Sequence, residues 1–222
     1  MDTERLIRTL AENVEPVRPL GRPWLRTIFW TAAGAVYLSV LVWVMSVRDD
    51  LGARMHDPRF LIEQTAALLT GVTAAVAAFA TVVPGHRRRI IWLPLALAVV
   101  WVAIVALGAL RDLRLAAPGD VLVQADWRCV WAILAGAAVP AGAMATMLRR
   151  GVPLTPHVTA ALGGLAAAGL GNLGVCLFHA HNSNLVVLMW HCGTVLVVAA
   201  LAGIAGRQLL RWPARQGVLV SR

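Results

Sequence analysis

Six apolar segments, each long enough to cross a lipid bilayer, occupy most of this 222-residue chain. A membrane-spanning helix needs about 20 mainly apolar residues, and 59% of the residues here are hydrophobic. Lipid offers no hydrogen-bond partners to a backbone, so such segments fold as helices. The sequence therefore predicts an all-α polytopic membrane protein built as a bundle of six transmembrane helices. The predicted spans are Thr27–Val47, Leu61–Val83, Ile90–Leu110, Cys129–Met147, His157–Leu177 and Leu185–Ala205.

The distribution of basic residues predicts the orientation of the bundle. All 20 basic residues are Arg, and fourteen of them lie in the N-terminal segment, the second and fourth loops and the C-terminal tail. Loops rich in Arg stay in the cytoplasm, so both termini are expected there. The net charge of +9 follows from this bias and from attraction to anionic lipid, and indicates no direct contact with nucleic acid. The predicted units are a cytoplasmic helix and linker (1–26), the transmembrane domain (27–206) and a cytoplasmic tail (207–222).

The predicted spans contain almost no charge and are interrupted only by Pro94 and Pro140. Ionisable groups inside a membrane usually mark transport paths or proton relays, so their scarcity argues against a pump or an ion-coupled carrier. Glu63 lies one turn from the outer end of the second span and is interpreted as a residue of the membrane interface.

All three cysteines map toward the outer side of the membrane. Cys129 opens the fourth span and Cys176 closes the fifth, so the two thiols are expected at matching depth. In a periplasm, thiols meet oxidants and disulfides persist. Redox sensing by Cys129 and Cys176 is the favoured interpretation, with packing as small apolar side chains as the alternative. Cys192, a third thiol, lies about two turns inside the sixth span, where packing is the favoured role.

Small residues recur every fourth position along the fifth span: Ala160, Gly164, Ala168, Asn172 and Cys176. Such a face allows helix backbones to approach closely. Cys176 is therefore expected to point into the bundle, where a new bond or a bound metal would change how the fifth helix packs.

Three histidines lie near Cys176 in the sequence. Thiolate and imidazole groups are suitable ligands for zinc and other heavy metals, which makes Cys176, His179, His181 and His191 a candidate metal set. The alternative is an ordinary polar loop. No cofactor is firmly predicted beyond transient binding of zinc or another heavy metal.

The N-terminal segment has the pattern of a short amphipathic helix. Its apolar residues Leu6, Ile7, Leu10 and Val14 follow helical spacing, and Pro16 and Pro19 are expected to end the helix. Two interpretations remain open at this point. The helix lies on the membrane surface, or it docks its apolar stripe in the groove of a partner protein.

The opening Thr3–Ala11, the Pro16-Val17 that follows, the six spans, Trp190-His191 and the closing Gly206–Trp212 together resemble the NrsF family. These proteins are bacterial inner-membrane anti-sigma factors, named as negative regulators of sigma F. The resemblance implies that the cytoplasmic face holds an extracytoplasmic-function sigma factor inactive. It also implies that two periplasm-side cysteines, corresponding to Cys129 and Cys176, report oxidants or heavy metals, and leaves Cys192 outside that pair.

The resulting hypothesis is a six-helix sensor and anti-sigma factor of the inner membrane, and not an enzyme. The alternative from another class is a membrane thiol oxidoreductase or metal-handling protein that uses the same thiols and histidines. The absence of a Cys-x-x-Cys motif counts against disulfide-exchange catalysis. A structural membrane subunit with packed cysteines is a third interpretation.

Overall fold

The computed structural model describes residues 3–12, 20–86, 88–117, 127–151, 153–179 and 183–210. Within these ranges the chain is helical and contains no strand. Six helices are long and apolar enough to cross a membrane, which confirms the predicted spans. The helices are α1 (Thr3–Glu12), α2 (Pro23–Met45), α3 (Leu51–Arg54), α4 (Pro58–Thr81), α5 (Trp92–Leu115), α6 (Trp127–Leu148), α7 (Pro156–Phe178), α8 (Asn184–Val186), α9 (Gly193–Ile204) and α10 (Gly206–Leu209).

All six spans begin one to four residues earlier than the sequence analysis predicted, and in three of them a proline starts the helix. Pro23, Pro58 and Pro156 occupy the first turns of α2, α4 and α7. Proline suits that position, since its fixed φ is helical and its missing N–H would have no partner there. The predicted bounds were based on apolar residues alone, so these three spans were predicted to begin one to four residues late. Asp57 also caps α4 by accepting a hydrogen bond from the backbone N–H of Arg59 at 3.0 Å.

The spanning helices alternate in direction, which gives the bundle two distinct ends. At the cysteine end, defined by residues 46–57, 112–117, 176–179 and 183–185, the backbone N–H of Arg48 donates to the carbonyl of Leu177 at 3.1 Å. At the terminal end, defined by residues 20–26, 147–151, 153–157 and 203–210, His157 Nδ1 lies 2.8 Å from the carbonyl oxygen of Gly203. Both ends are thus held by contacts between helices that are distant in the sequence.

Helix α7 lies at the centre of the bundle, in contact with α2, α4, α6 and α9. Its small residues allow this on more than the one predicted face. A Cβ atom added at Gly171 would lie 2.7 Å from the carbonyl oxygen of Ile133 in α6, and one added at Gly164 would lie 2.7 Å from the Ala202 side chain in α9. The predicted small-residue face is confirmed, and the rest of the helix is also largely buried.

The sixth span is not a continuous α-helix. It consists of α8, a π-helical segment Val187–Cys192, and α9. The sequence analysis expected no interruption here, since no proline or glycine precedes Gly193 within the span. A π-helical turn rotates the residues after it relative to those before it and is often found at functional sites. This one contains His191 and Cys192, both buried.

The close approach of α6 and α7 leads to a stability prediction. Gly171→Val places two methyl groups and a Cβ atom against the backbone of α6, so the free energy of unfolding should fall by about 1–3 kcal/mol. The measurement is unfolding of the purified protein in mixed micelles with increasing dodecyl sulfate, followed by circular dichroism. Gly142→Val is the control, because nothing lies within 4 Å of a Cβ at Gly142 and the helix-propensity cost is the same. Equal losses in both variants would contradict the packing described for α7.

Candidate functional site

A buried polar cluster joins α7 to the π-helical segment at the cysteine end. His191 Nδ1 lies 2.7 Å from Asn172 Oδ1 and 3.9 Å from the Cys176 sulfur. Because a carbonyl oxygen only accepts, His191 donates the hydrogen bond to Asn172. All three residues are buried. The amide therefore fixes the orientation of the imidazole and holds it beside the Cys176 thiol.

Cys192 follows His191 in the π-helical segment and is buried. It packs within the hydrophobic core of the bundle. Its neighbour in the sequence, His191, is the residue whose Nδ1 lies 3.9 Å from the Cys176 sulfur. The packing role that its depth in the span favoured for Cys192 stays a prediction.

Cys129 is fully buried in the first turn of α6. Helices α6 and α7 run antiparallel and touch where Gly136 meets Gly171. At 1.5 Å per residue, Cys129 lies about 10 Å from this crossing and Cys176 about 7.5 Å, both toward the cysteine end. The two sulfur atoms thus have similar depth on neighbouring helices, as the sequence analysis expected. None of these three cysteines forms a disulfide in this structure.

Arg48 holds the end of α7 that carries Cys176. Its Nη1 donates to the carbonyl oxygens of Cys176 at 3.4 Å and His179 at 3.3 Å. Its Nη2 donates to Asp50 at 2.8 Å, and only 2% of its side chain is exposed. The last carbonyls of a helix lack partners within the helix and carry partial negative charge, so a cation is favoured there.

The hydrogen bond from Arg48 also stabilises the ionised form of Asp50 and lowers the pKa of that carboxyl to about 2. The Asp50 carboxylate therefore stays ionised at any physiological pH. The sequence analysis assigned no role to Arg48. The one signal available was an Arg followed by two Asp residues directly after an apolar span.

The predicted metal set is only partly brought together. Cys176 and His191 lie side by side, whereas His179 ends α7 and binds Arg48 through its main chain. His181 lies outside the described residues. Among the residues that the structure describes, no group of three or more His, Cys, Asp or Glu side chains is arranged to hold a metal ion. A structural zinc site needs four ligands, so metal binding stays a prediction.

The predicted docking helix is present as α1, over Thr3–Glu12. Leu6 is 44% exposed and Ile7 is 61% exposed, so neither packs into the bundle. The side chain of Leu10 and the whole of Val14 lie outside the described residues. An exposed apolar stripe on a short helix is a surface that a partner protein or a membrane would cover.

Arginines also organise the terminal end of the bundle. Arg26 donates through Nη2 to the carbonyl of Met147, and its guanidinium lies over the Phe79 ring, 4.5 Å from the centroid. Arg149 donates through Nε to the carbonyl of Leu209 at 2.6 Å. These contacts link α2, α4, α6 and α10 at the terminal end of the bundle, where α2 begins.

Comparison with known proteins identifies the family. The family model described as "NrsF: Negative regulator of sigma F" matches residues 10–212. The chain belongs to the NrsF family. A curated relative, the "Probable anti-sigma-F factor NrsF" of Azospira oryzae, is 24% identical over 218 residues, which cover 96% of this chain and 100% of the relative. No solved structure matches the chain.

The Arg48 contacts lead to a second stability prediction. Arg48→Met keeps most of the side-chain length but leaves two buried carbonyls without their donor, so the free energy of unfolding should fall by about 1–3 kcal/mol. Arg54→Met is the control, because Arg54 reaches only Asp50, at 3.4 Å, from a half-exposed position and such a pair contributes less than about 1 kcal/mol. Dodecyl sulfate unfolding compares the two. A larger loss in Arg54→Met would overturn the role assigned to Arg48.

Proposed function

We propose that this protein is an anti-sigma factor of the bacterial inner membrane. It sequesters an extracytoplasmic-function sigma factor at its cytoplasmic face and releases it when periplasm-side cysteines meet an oxidant or a heavy metal. The observation that carries the proposal is the match to the negative regulators of sigma F over residues 10–212. That membership supports a regulatory role and not a catalytic one.

The charge distribution supports the orientation in this proposal. Fourteen of the 20 Arg residues belong to the N-terminal segment, the second and fourth loops and the C-terminal tail, and among them Arg26 and Arg149 lie at the terminal end of the bundle. Loops rich in Arg stay in the cytoplasm. The terminal end then faces the cytoplasm with α1, and the cysteine end faces the periplasm. A sigma factor and the stress that releases it would thus act on opposite sides of one membrane.

Helix α1 is the proposed docking element for the sigma factor. A helix of ten residues is marginal on its own in water, so α1 gains stability when its apolar stripe is covered. Leu6 and Ile7 are exposed in the structure, and Leu10 and Val14 continue the stripe by helical spacing. Docking in a hydrophobic groove uses apolar anchors at this spacing.

The proposed trigger is formation of a disulfide that includes Cys176. A peroxide oxidises one thiolate to a sulfenic acid with release of hydroxide. The second thiol then displaces water from that sulfur to form the S–S bond. The net change converts two thiols and one peroxide into one disulfide and two waters. The family resemblance implies Cys129 as the partner of Cys176, whereas the adjacency of Cys192 to His191, which lies 3.9 Å from the Cys176 sulfur, favours a second pairing, Cys176 with Cys192.

Helix α7 is the proposed mechanical link between the two faces. It begins beside Gly206 and Gly203 at the terminal end and ends at Cys176 and the Arg48 contacts. Tightly packed helices have few intermediate arrangements, so a small displacement tends to move the whole element. A disulfide at Cys176 would shift α7 and change the cytoplasmic surface offered to the sigma factor.

Substitution on the apolar stripe of α1 tests the docking proposal. Ile7→Glu places a charge where the groove is expected to be apolar, so the amount of sigma factor that copurifies in mild detergent should fall by at least about tenfold. Arg8→Gln is the control, because it changes the net charge by the same amount on the opposite face of the helix. Mass spectrometry of the copurified proteins measures both. If Ile7→Glu recovered as much sigma factor as the unsubstituted protein, the contact would have to lie in the Arg-rich loops instead of α1.

If no sigma factor copurified with the unsubstituted protein, the proposed anti-sigma function would be contradicted. The alternative, a thiol oxidoreductase or metal-handling protein, would then be favoured.

Serine substitutions test the sensing proposal in cells. Cys176→Ser should abolish induction of the sigma-dependent promoter by peroxide, because Cys176 is common to both pairings. Cys129→Ser and Cys192→Ser should separate the pairings, since only the partner of Cys176 is required. A transcriptional reporter measures the response. Depletion of the protein is the control, because it should induce the promoter without any reaction at a cysteine. Full induction in Cys176→Ser would contradict thiol sensing.

A further inference from the structure

A polar cavity of about 170 Å³ opens at the cysteine end between α4, α5 and the start of the sixth span. Its lining includes five charged residues: Arg54, Asp57, Arg59, Glu63 and Asp112. The volume is well below the roughly 300–1,000 Å³ of pockets for drug-sized molecules. Any ligand of this cavity is therefore small and polar.

Glu63 lies at the buried floor of this cavity. Its side chain belongs to α4, and the residue is only 9% exposed. Within the described residues it forms no hydrogen bond or ion pair. The sequence analysis placed it at the membrane interface, where it would be hydrated. An unpaired buried carboxylate is costly, which indicates that a donor or cation from outside the described chain belongs beside it.

The other two acids of the cavity can also accept more hydrogen bonds. Asp57 accepts one from the backbone N–H of Arg59 at 3.0 Å, and Asp112 accepts one from the backbone N–H of Asn184 at 2.7 Å. A carboxylate has about four acceptor sites, so each retains capacity toward the cavity. An ammonium group, with three donors, matches this set of acceptors.

The mouth of the cavity has the opposite charge. Arg59 is exposed, and the Arg54 side chain is 39% exposed. Arg48 also lines the cavity, but its donors are occupied by Asp50 and the end of α7. The floor is thus anionic and buried, whereas the mouth is cationic and accessible. A guanidinium pairs well with a carboxylate.

We propose that this cavity binds a small zwitterion of the α-amino acid class. The ammonium group lies at the floor beside Glu63 and Asp112, and the carboxylate lies at the mouth beside Arg59 and Arg54. The inference goes beyond the anti-sigma function and does not depend on it, since binding is measured without a sigma factor. Arg48 lines the cavity and also holds the end of α7, so an occupied site lies next to the residue that positions Cys176.

Isothermal titration of the full-length protein in nanodiscs tests the proposal with three matched probes. Alanine carries both charges, ethylamine lacks the carboxylate and propionate lacks the ammonium group. We expect alanine to bind at least about tenfold more tightly than either fragment, because each charge contributes a charge-assisted hydrogen bond. Absence of saturable alanine binding, or binding of ethylamine or propionate as tight as that of alanine, would overturn the proposal.

Three variants locate the site. Glu63→Gln should weaken alanine binding at least about tenfold, since the amide keeps the shape but loses the charge. Arg59→Gln, on the exposed mouth, should weaken binding of alanine but not of ethylamine, and it leaves the packed interior of the bundle unchanged because Arg59 is exposed. Asp49→Asn is the control outside the cavity and should bind alanine as the unsubstituted protein does. Unchanged alanine binding in both Glu63→Gln and Arg59→Gln would overturn the proposal.

Discussion

The packing of α7 against backbone on several sides is the constraint on which the rest of the structure depends. Gly171 and Gly164 bring α6 and α9 so close that a single added methyl group would collide with them. In lipid, helices associate through such van der Waals contact and through polar groups, since apolar burial adds little. A helix held in this way moves as a unit. That property makes a chemical event at Cys176 relevant to the terminal end of the bundle.

The second constraint is that every buried polar group must find its partner inside the bundle. The structure meets it in a few places that are also the candidate sites. Asn172 pairs with His191 beside the Cys176 thiol, and Arg48 supplies the last carbonyls of α7. Glu63 is the exception among the described carboxylates, since it is buried without such a partner. This difference distinguishes a polar group that stabilises the fold from one that is available to a ligand.

The six spans and the inward orientation of Cys176 could be predicted from the sequence, whereas the π-helical segment could not. Length and hydropathy located six spans, and the four-residue repeat of small residues predicted that Cys176 points inward. The π-helical segment was not predictable, because residues 187–192 carry no helix-breaking signal.

The roles of Arg48 and Glu63 were also not predictable from the sequence. Both are charged residues near span ends, and sequence position alone does not distinguish a residue that faces headgroups from one that turns into the bundle. Only the neighbouring helices decide between these orientations.

The central claim is that the oxidation state of the cysteines sets the affinity of the protein for its sigma factor. The most direct measurement is the dissociation constant of the purified complex in nanodiscs, determined with the protein reduced and after stoichiometric peroxide. The account predicts at least about tenfold weaker binding after oxidation, a coupling of about 1.4 kcal/mol, and no change in Cys176→Ser. Equal affinity of the reduced and oxidised protein would contradict the claim.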